Sequence, residues 1–449
     1  MTKSNSIPNH LRCQHLILLV GGNPLPNAVA GGCLLQDEGM ITLVYSKTQT
    51  VQTAQRKQLR IEGTETIANR LRRWFIRDRK ITSRVYLQAV DDSDAWDIGK
   101  GIRTALQNGS GSVGLHYSGG TKAMAIHAYR AVQEATEGQA VFSYLNPRTL
   151  EMLFDVSDGE AERVSVGTAV NITLEEMLFL QTDLKLHRKR PYLQTPLLPR
   201  TAQAIMRVYV TEDSELDEWK KWVNPALKKY YKSWYDGGVP RNWKPASEIY
   251  NDPFNEPPPT SIGQTLLDEL GQSGELSLQK AWEYHQNEDW ASEQDFIEEF
   301  LGFLLGGKWL EHYTLDCLQQ LNAKFNFHQT LLGIVPSRPK RNLDKEDDSL
   351  FEMDVAAIRG YQLFAFSCGI SPRKNVLKHK LFEAGMRARQ LGGDEACTAL
   401  VSLAQPAQLN ELEQDVTQAL QSRISLFGKN DLPNLTERLQ GWIETQIGR

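Results

Sequence analysis

The chain has 449 residues, 41% apolar and 23% charged, the composition of a globular protein with core volume for two or three domains. A formal net charge of −5 gives no bulk attraction to nucleic acid, so any such binding has to come from local basic patches. No apolar run reaches the length of a membrane span, the first residues carry no signal core, and five cysteines lack C-x-x-C spacing, so a reduced, cytoplasmic protein without membrane partner, zinc site or disulfide framework is expected.

Taken in chain order, residues 15–20 (HLILLV) read as a buried strand that breaks into the irregular turn Gly21-Gly22-Asn23-Pro24-Leu25-Pro26-Asn27. A second strand, 41–45, ends in Ser46-Lys47-Thr48, and a third, 85–90, ends in Asp91-Asp92. Helix patterns over 67–77 and 94–107 separate these strands. Residues 113–116 then break into Tyr117-Ser118-Gly119-Gly120-Thr121-Lys122, and an alanine-rich helix follows to about 136. Two adjacent glycines let the backbone turn tightly and approach a ligand. Thr121 and the helix start offer a hydroxyl and unpaired N–H groups to an anion, and Lys122 adds positive charge. The G-x-x-x-x-G-K-[ST] spacing of a Walker A loop is absent. The same residues also suit an ordinary βα turn with a capped helix, and local sequence leaves both readings open. A strand over 139–145 and a hairpin reaching 149–154 complete an α/β pattern, a doubly wound sheet with its loops at the carboxyl ends of strands.

Residues 160–200 form a transition containing the basic run 185–190 (KLHRKR), read as a solvated linker face with nucleic-acid contact as the alternative. From 201 to 290 the texture changes: Trp219, Trp222, Trp234, Trp243, Trp282 and Trp290 sit among Lys220, Lys221, Lys228, Lys229 and Lys232. Basic residues interleaved with aromatics make either a stacking platform for single strands or a helical core with a lysine-rich outer face. Glu256-Pro257-Pro258-Pro259 marks a loop, helix patterns dominate 262–321, and strands return at 325–334 and 350–358.

Chemistry gathers in the last third. Glu311 lies at the start of a helix, in Gly307-Lys308-Trp309-Leu310-Glu311, and Glu352 and Asp354 alternate onto one face of a strand. Residues 361–368 pair with that strand across Arg359-Gly360. A helix acid beside a hairpin acid is a layout for a hard divalent cation, which activates bound water and neutralises charge on a phosphodiester. Beyond the hairpin, Leu377, Leu381, Ala384 and Ala388 define an apolar helix stripe flanked by Lys374, Lys378, Lys380, Glu383 and Arg387. His312 is read as structural and Cys368 as a buried small residue.

The Ser-Gly-Gly-Thr-Lys run at a strand end resembles the ligand motif of CARF domains, the cyclic-oligoadenylate sensors of type III CRISPR defence. The resemblance covers about residues 10–160. It implies a Rossmann-like sensor with Ser118, Gly119, Gly120, Thr121, Lys122, Asn23, Pro24 and Ser46 at the ligand, and a homodimer with a two-fold pocket. Cyclic tetra-adenylate suits that symmetry, ahead of cyclic hexa-adenylate. The last third resembles the PD-(D/E)XK restriction-endonuclease-like half of CARF-fused CRISPR ancillary nucleases. The motifs G-x-W-L-E and E-[IL]-D-V map onto Glu311 and Asp354, the residues that would hold Mn²⁺ or Mg²⁺. The third motif departs, because Ser367-Cys368-Gly369 stands where E-C-K is expected. Either the missing groups have migrated to the next helix as Lys380 and Glu383, with Lys378 as a substitute donor, or catalysis is lost and the protein is a ligand-gated binding or regulatory protein. No acid–base pair in the sensor stands out for cleaving its own ligand.

The expected architecture is therefore an N-terminal sensor over 1–165, a linker and helical, aromatic-rich middle over 166–290, and a nuclease-like α/β domain over 291–449. Its expected activity is metal-dependent cleavage of DNA or RNA, switched on by cyclic oligoadenylate.

Overall fold

A computed structural model describes residues 7–52, 58–155, 161–188, 190, 192–231, 243–250, 258–288, 290–338, 340, 348–417 and 423–447. Lys189, Lys232, Trp234, Glu256 and Pro257 lie outside the described residues.

In the first lobe β1 (Cys13–Leu19) leads into α1 (Leu25–Leu34) and β2 (Leu35–Ser46). A small hairpin of β3 (Gln49–Gln52) and β4 (Gln58–Ile61) precedes α2 (Glu65–Arg73), β5 (Val85–Val90) and α3 (Ala95–Gln107). Then come β6 (Val113–His116), α4 (Lys122–Ala135), β7 (Val141–Asn146), β8 (Glu151–Asp155) and β9 (Ala161–Ser165). The sheet order is β5-β2-β1-β6-β7-β8-β9, with β8 and β9 antiparallel and the rest parallel. Helices cover both faces, so β1 is continuously apolar from Leu16 to Leu19 rather than alternating. The chain winds outward from β1 to β5, then crosses back to β6 on the other side of β1. That reversal opens a crevice above the β1 and β6 carboxyl ends, the place where open parallel sheets bind ligands.

The turn expected over 21–27 is shorter than its sequence implies, because α1 starts at Leu25 with prolines at or beside its first turn. The helix is buried nearly all round, so it shows no polar face and no amphipathic period.

After α5 (Leu174–Gln181), capped reciprocally by Thr173 and Glu176, and β10 (Lys185–Leu186), a helical layer forms. It contains α6 (Pro199–Thr211), α7 (Ser214–Tyr230), α8 (Ala246–Ile249), α9 (Thr260–Glu269), α10 (Leu278–His285), α11 (Glu293–Gly306), α12 (Trp309–Gln320) and α13 (Asn322–Phe325). Phe325, expected in a strand, instead ends α13, because Asn326 takes a left-handed conformation and stops the helix. The strands β11 (Gln329–Ile334), β12 (Pro336–Arg338), β13 (Asp348–Ser349), β14 (Met353–Arg359) and β15 (Gln362–Gly369) follow. The chain closes with α14 (Lys374–Gly392), β16 (Cys397–Ser402), α15 (Pro406–Thr417), β17 (Ile424–Phe427) and α16 (Leu435–Ile447). The second sheet runs β11-β14-β15-β16-β17, antiparallel up to β15 and parallel after it.

Strand alternation gives this second sheet two buried faces. Val355, Ala357, Phe364 and Phe366 share a core with Trp219, Phe300, Trp309 and Trp442. Ala356, Ile358 and Leu363 join the core of the first lobe, beside Val29 and Leu178. Of the two readings of the tryptophan-rich middle, core wins at Trp219 and Trp222, which stack 5.2 Å apart inside the protein.

Candidate functional site

Two groups of residues carry chemistry. The first sits at the crevice between β1 and β6. A β-carbon on Gly119 would fall 2.2 Å from the Leu19 carbonyl oxygen, and one on Gly21 2.8 Å from the Gly120 amide nitrogen. The loops after β1 and β6 thus touch as bare backbone, and Gly120 takes φ +77° to make the turn. Thr121 caps α4, its Oγ1 accepting from the Met124 N–H at 3.2 Å, and the hydroxyl proton stays available to donate. Lys122 is exposed at the first helical position. Ser118 Oγ accepts from the Leu145 N–H at 2.6 Å, fastening the loop to β7.

Three residues expected at the ligand are engaged elsewhere, because side chains at these strand ends satisfy loop backbone and lobe contacts. Ser46 is buried and exchanges hydrogen bonds with Thr64, whose N–H it accepts at 3.1 Å. Pro24 is buried at the start of α1. Asn23 is held between its own turn and other elements: its Oδ1 accepts from the Leu25 N–H at 3.1 Å and from Gln181 at 2.8 Å, and its Nδ2 donates to Glu395 at 3.2 Å.

The second group lies where α12, β14, β15 and α14 meet. Asp354 Oδ2 accepts from the Cys368 N–H at 2.7 Å, the Ser367 hydroxyl at 3.1 Å and the Lys380 ammonium at 3.1 Å. Lys380 therefore reaches Asp354 from the following helix. Its stem runs alongside the strand end: a β-carbon on Gly369 would lie 3.4 Å from Lys380 Cδ and 3.8 Å from Cε, in ordinary van der Waals contact. Glu383, one turn further on, lines a small pocket with Glu352, Asp354, Ser367 and Lys380. Lys378 corrects the expectation of a substitute donor, because helix phase turns it to α15, where it pairs with Asp415 at 3.1 Å.

Glu311 is buried, and its Oε2 has no hydrogen-bond partner. Burial first, and then the Asp354 charge, push its carboxyl well above the usual carboxylate range. Burial works against the Lys380 charge, but Asp354 and Glu311 outweigh it and raise the pKa, so this lysine stays an ammonium ion. Among the described residues no group of three His, Cys, Asp or Glu side chains is arranged around a metal position. Glu311 and Asp354 nonetheless fit a hard cation that keeps most of its waters. They are adjacent carboxylates, one with an orphaned buried oxygen, and Mg²⁺ is commonly held by one or two such groups.

A cavity of about 480 Å³ opens beside this group, lined by Glu311, Glu352 and Lys380 on the sheet side and by Tyr231, Trp243 and Trp290 on the helical side. Arg190, the end of the basic run, also lines it. Sequence reading missed a buried network on its wall: Glu299 pairs with Lys308 and accepts from His312 Nε2 at 3.1 Å. His312 Nδ1 accepts the Leu197 N–H at 2.9 Å, which fixes the neutral tautomer and matches the structural role expected for it. The available signal was a pair of acids, Glu298 and Glu299, inside the otherwise apolar run 296–305.

No protein-family model and no curated protein matches the sequence. Solved structures do match in fold. Protein VC1899 from Vibrio cholerae superposes with a TM-score of 0.63 at 16% identity, over 97% of this chain and 99% of that one. Can2 from Sulfobacillus thermosulfidooxidans, solved in complex with cyclic tetra-adenylate, gives 0.59 at 14% identity, over 96% of this chain and 99% of that one. The chain has the fold of these two proteins from end to end: a Rossmann-like sheet, a helical middle and a second, mixed sheet.

Proposed function

We propose that the protein is a nuclease of type III CRISPR defence, activated by a cyclic oligoadenylate and dependent on Mn²⁺ or Mg²⁺. The observation that carries this reading is the Lys380 ammonium, 3.1 Å from the Asp354 carboxylate, with its stem running alongside Gly369. It supplies from α14 the cation that the hairpin motif lacks. Glu311 and Asp354 would hold the metal, which when bound supplies an activated water and charge neutralisation. Lys380, an ammonium at neutral pH, orients Asp354 and stabilises charge developing on a phosphate oxygen rather than acting as a base. Glu383, which lines the small pocket beside Asp354, would be the second carboxylate and take a proton from the attacking water.

The bare-backbone loop of Gly119 and Gly120, with Thr121 and Lys122 at the helix start, would take the phosphates of the activator. Can2 holds cyclic tetra-adenylate in the same fold, which favours that ring size. A homodimer would complete the pocket. Ile126 on α4 is 58% exposed and Trp96 on the neighbouring α3 is 65% exposed, a surface beside the loop that a second copy would cover.

The test is incubation with labelled DNA and RNA plus Mn²⁺ or Mg²⁺, with and without each cyclic oligoadenylate. Stimulated, metal-dependent cleavage is expected. Ligand binding with no cleavage under any condition establishes instead the ligand-gated binding protein that the Ser367 and Gly369 departures leave as the alternative.

A further inference from the structure

Two short chains of contacts leave the glycine loop and end on one residue of the second lobe. On one side the Gly120 amide packs against Gly21, and two residues on, Asn23 Nδ2 donates to Glu395 Oε2 at 3.2 Å. On the other, Ser118 is bonded to Leu145 at 2.6 Å, and the turn that follows presents the Pro147 and Arg148 carbonyls to Arg423 at 2.5 and 3.0 Å. The same guanidinium donates to the Glu395 carbonyl at 2.7 Å. Glu395 is thus held by its side chain from the loop after β1 and by its backbone, through Arg423, from the turn after β7.

Its position in the second lobe gives these contacts meaning. The turn 393–395 directly follows α14, the helix that presents Lys380 to Asp354. Glu395 is fully buried and its Oε1 has no partner, so the Asn23 amide is the side-chain donor that its carboxyl has. Packing there leaves no slack: a β-carbon on Gly393 would meet Asn23 Nδ2 at 2.2 Å. A shift of the loop after β1 must move Glu395 or break its hydrogen bond, and tightly packed junctions respond in discrete steps rather than by stretching.

We propose that the Asn23–Glu395–Arg423 junction transmits occupancy of the glycine loop to α14 and so to the Lys380–Asp354 pair. Asn23 and Arg423 are then coupling residues, acting on the centre through Glu395. The proposal rests on the function argued above, and the experiment separates the two.

The full chain is given cyclic tetra-adenylate as the probe. Its affinity is read by calorimetry, amide exchange is followed over 374–395, and cleavage is measured alongside. In the wild type the ligand changes exchange over that segment. In Asn23→Ala the affinity stays within about threefold while the exchange change and the stimulation of cleavage fall by at least about fivefold, the lower end of ordinary coupling. Arg423→Lys, which loses the fork joining Pro147, Arg148 and Glu395, gives the same split and serves if Asn23→Ala does not fold. A folded variant that binds and still transmits like the wild type overturns the junction. Ligand-induced exchange without any cleavage refutes the nuclease reading and leaves the junction tested by exchange alone. A wild type whose α14 exchange ignores bound ligand overturns the junction alone, whereas one that binds no cyclic tetra-adenylate overturns the sensor reading and the junction with it.

Discussion

Thr121 has one role in the fold and a second in the proposed site. Its oxygen caps α4, and its hydroxyl proton would donate to a phosphate of the activator. Thr121→Ala should therefore cost about 1 kcal/mol of stability as well as affinity, whereas Lys122→Ala should cost affinity alone. Each lost charge-assisted bond is worth about 1.5–3 kcal/mol, so binding of cyclic tetra-adenylate should weaken roughly ten- to a hundredfold. Calorimetry showing wild-type affinity in both folded variants removes the glycine loop from the ligand site. Glu395 makes a separate prediction at this scale. Burial pushes its carboxyl up to about 7, Asp394 adds to the push, and the Asn23 amide and Arg423 pull it back. The unfolded chain loses this proton near 4.5, so between 4.5 and 7 the folded state holds more protons. This contribution to stability is full below the lower value and is lost as pH rises through the upper one. It amounts to on the order of 3 kcal/mol. Denaturant unfolding of Glu395→Gln at pH 5 and 7.5 should show a flatter pH dependence than the wild type. Parallel curves would mean that the folded carboxyl titrates normally.

At the scale of elements, the proposed site divides between α14 and β15 a task that the resembled motif places on the hairpin alone. Gly369 leaves the strand without a side chain, and Lys380 covers it from the helix. Lys380→Ala should reduce metal-dependent cleavage by at least about a hundredfold, and adding Gly369→Lys to it should recover part of the loss, since the new side chain enters the emptied space. Asp354→Ala should abolish cleavage, and Glu311→Ala should reduce it strongly, while ligand affinity in both is unchanged. Wild-type turnover by Asp354→Ala would place the chemistry elsewhere in the molecule. Failure of the double variant to recover would separate charge placement from the helix geometry that supports it.

For the whole molecule, the second sheet is the shared wall. One face closes the helical layer and the other closes the core of the first lobe, so the proposed coupling has a packed path from the first lobe to β14 and α14. The exposed Ile126 and Trp96 lie on the flank away from this wall, where a second copy would cover them. Light scattering should give about twice the 50.8 kDa chain mass for the wild type and a single chain mass for Ile126→Glu. A wild type that stays monomeric with and without cyclic tetra-adenylate would rule out the two-fold pocket.

Sequence by itself determined the parts whose signal is local. The glycine pair before a capped helix, the buried strands of a parallel sheet, the hairpin at Gly360 and the acids Glu311 and Asp354 all depend on spacing along a few residues. Even the reach of Lys380 was legible, since a lysine near an apolar helix stripe can face the preceding strand. Tertiary structure decided the rest. Helix phase, set by packing on α15, sent Lys378 to Asp415 rather than to Asp354. Asn23 and Glu395 are 372 positions apart, and no local pattern could pair them. The nearly all-round burial of α1 hid its period, and Ser46 was taken up by Thr64. The physical reason is common to these cases: a polar group's partner is chosen by what folding brings within about 3 Å, and for buried groups that neighbour is usually distant in sequence.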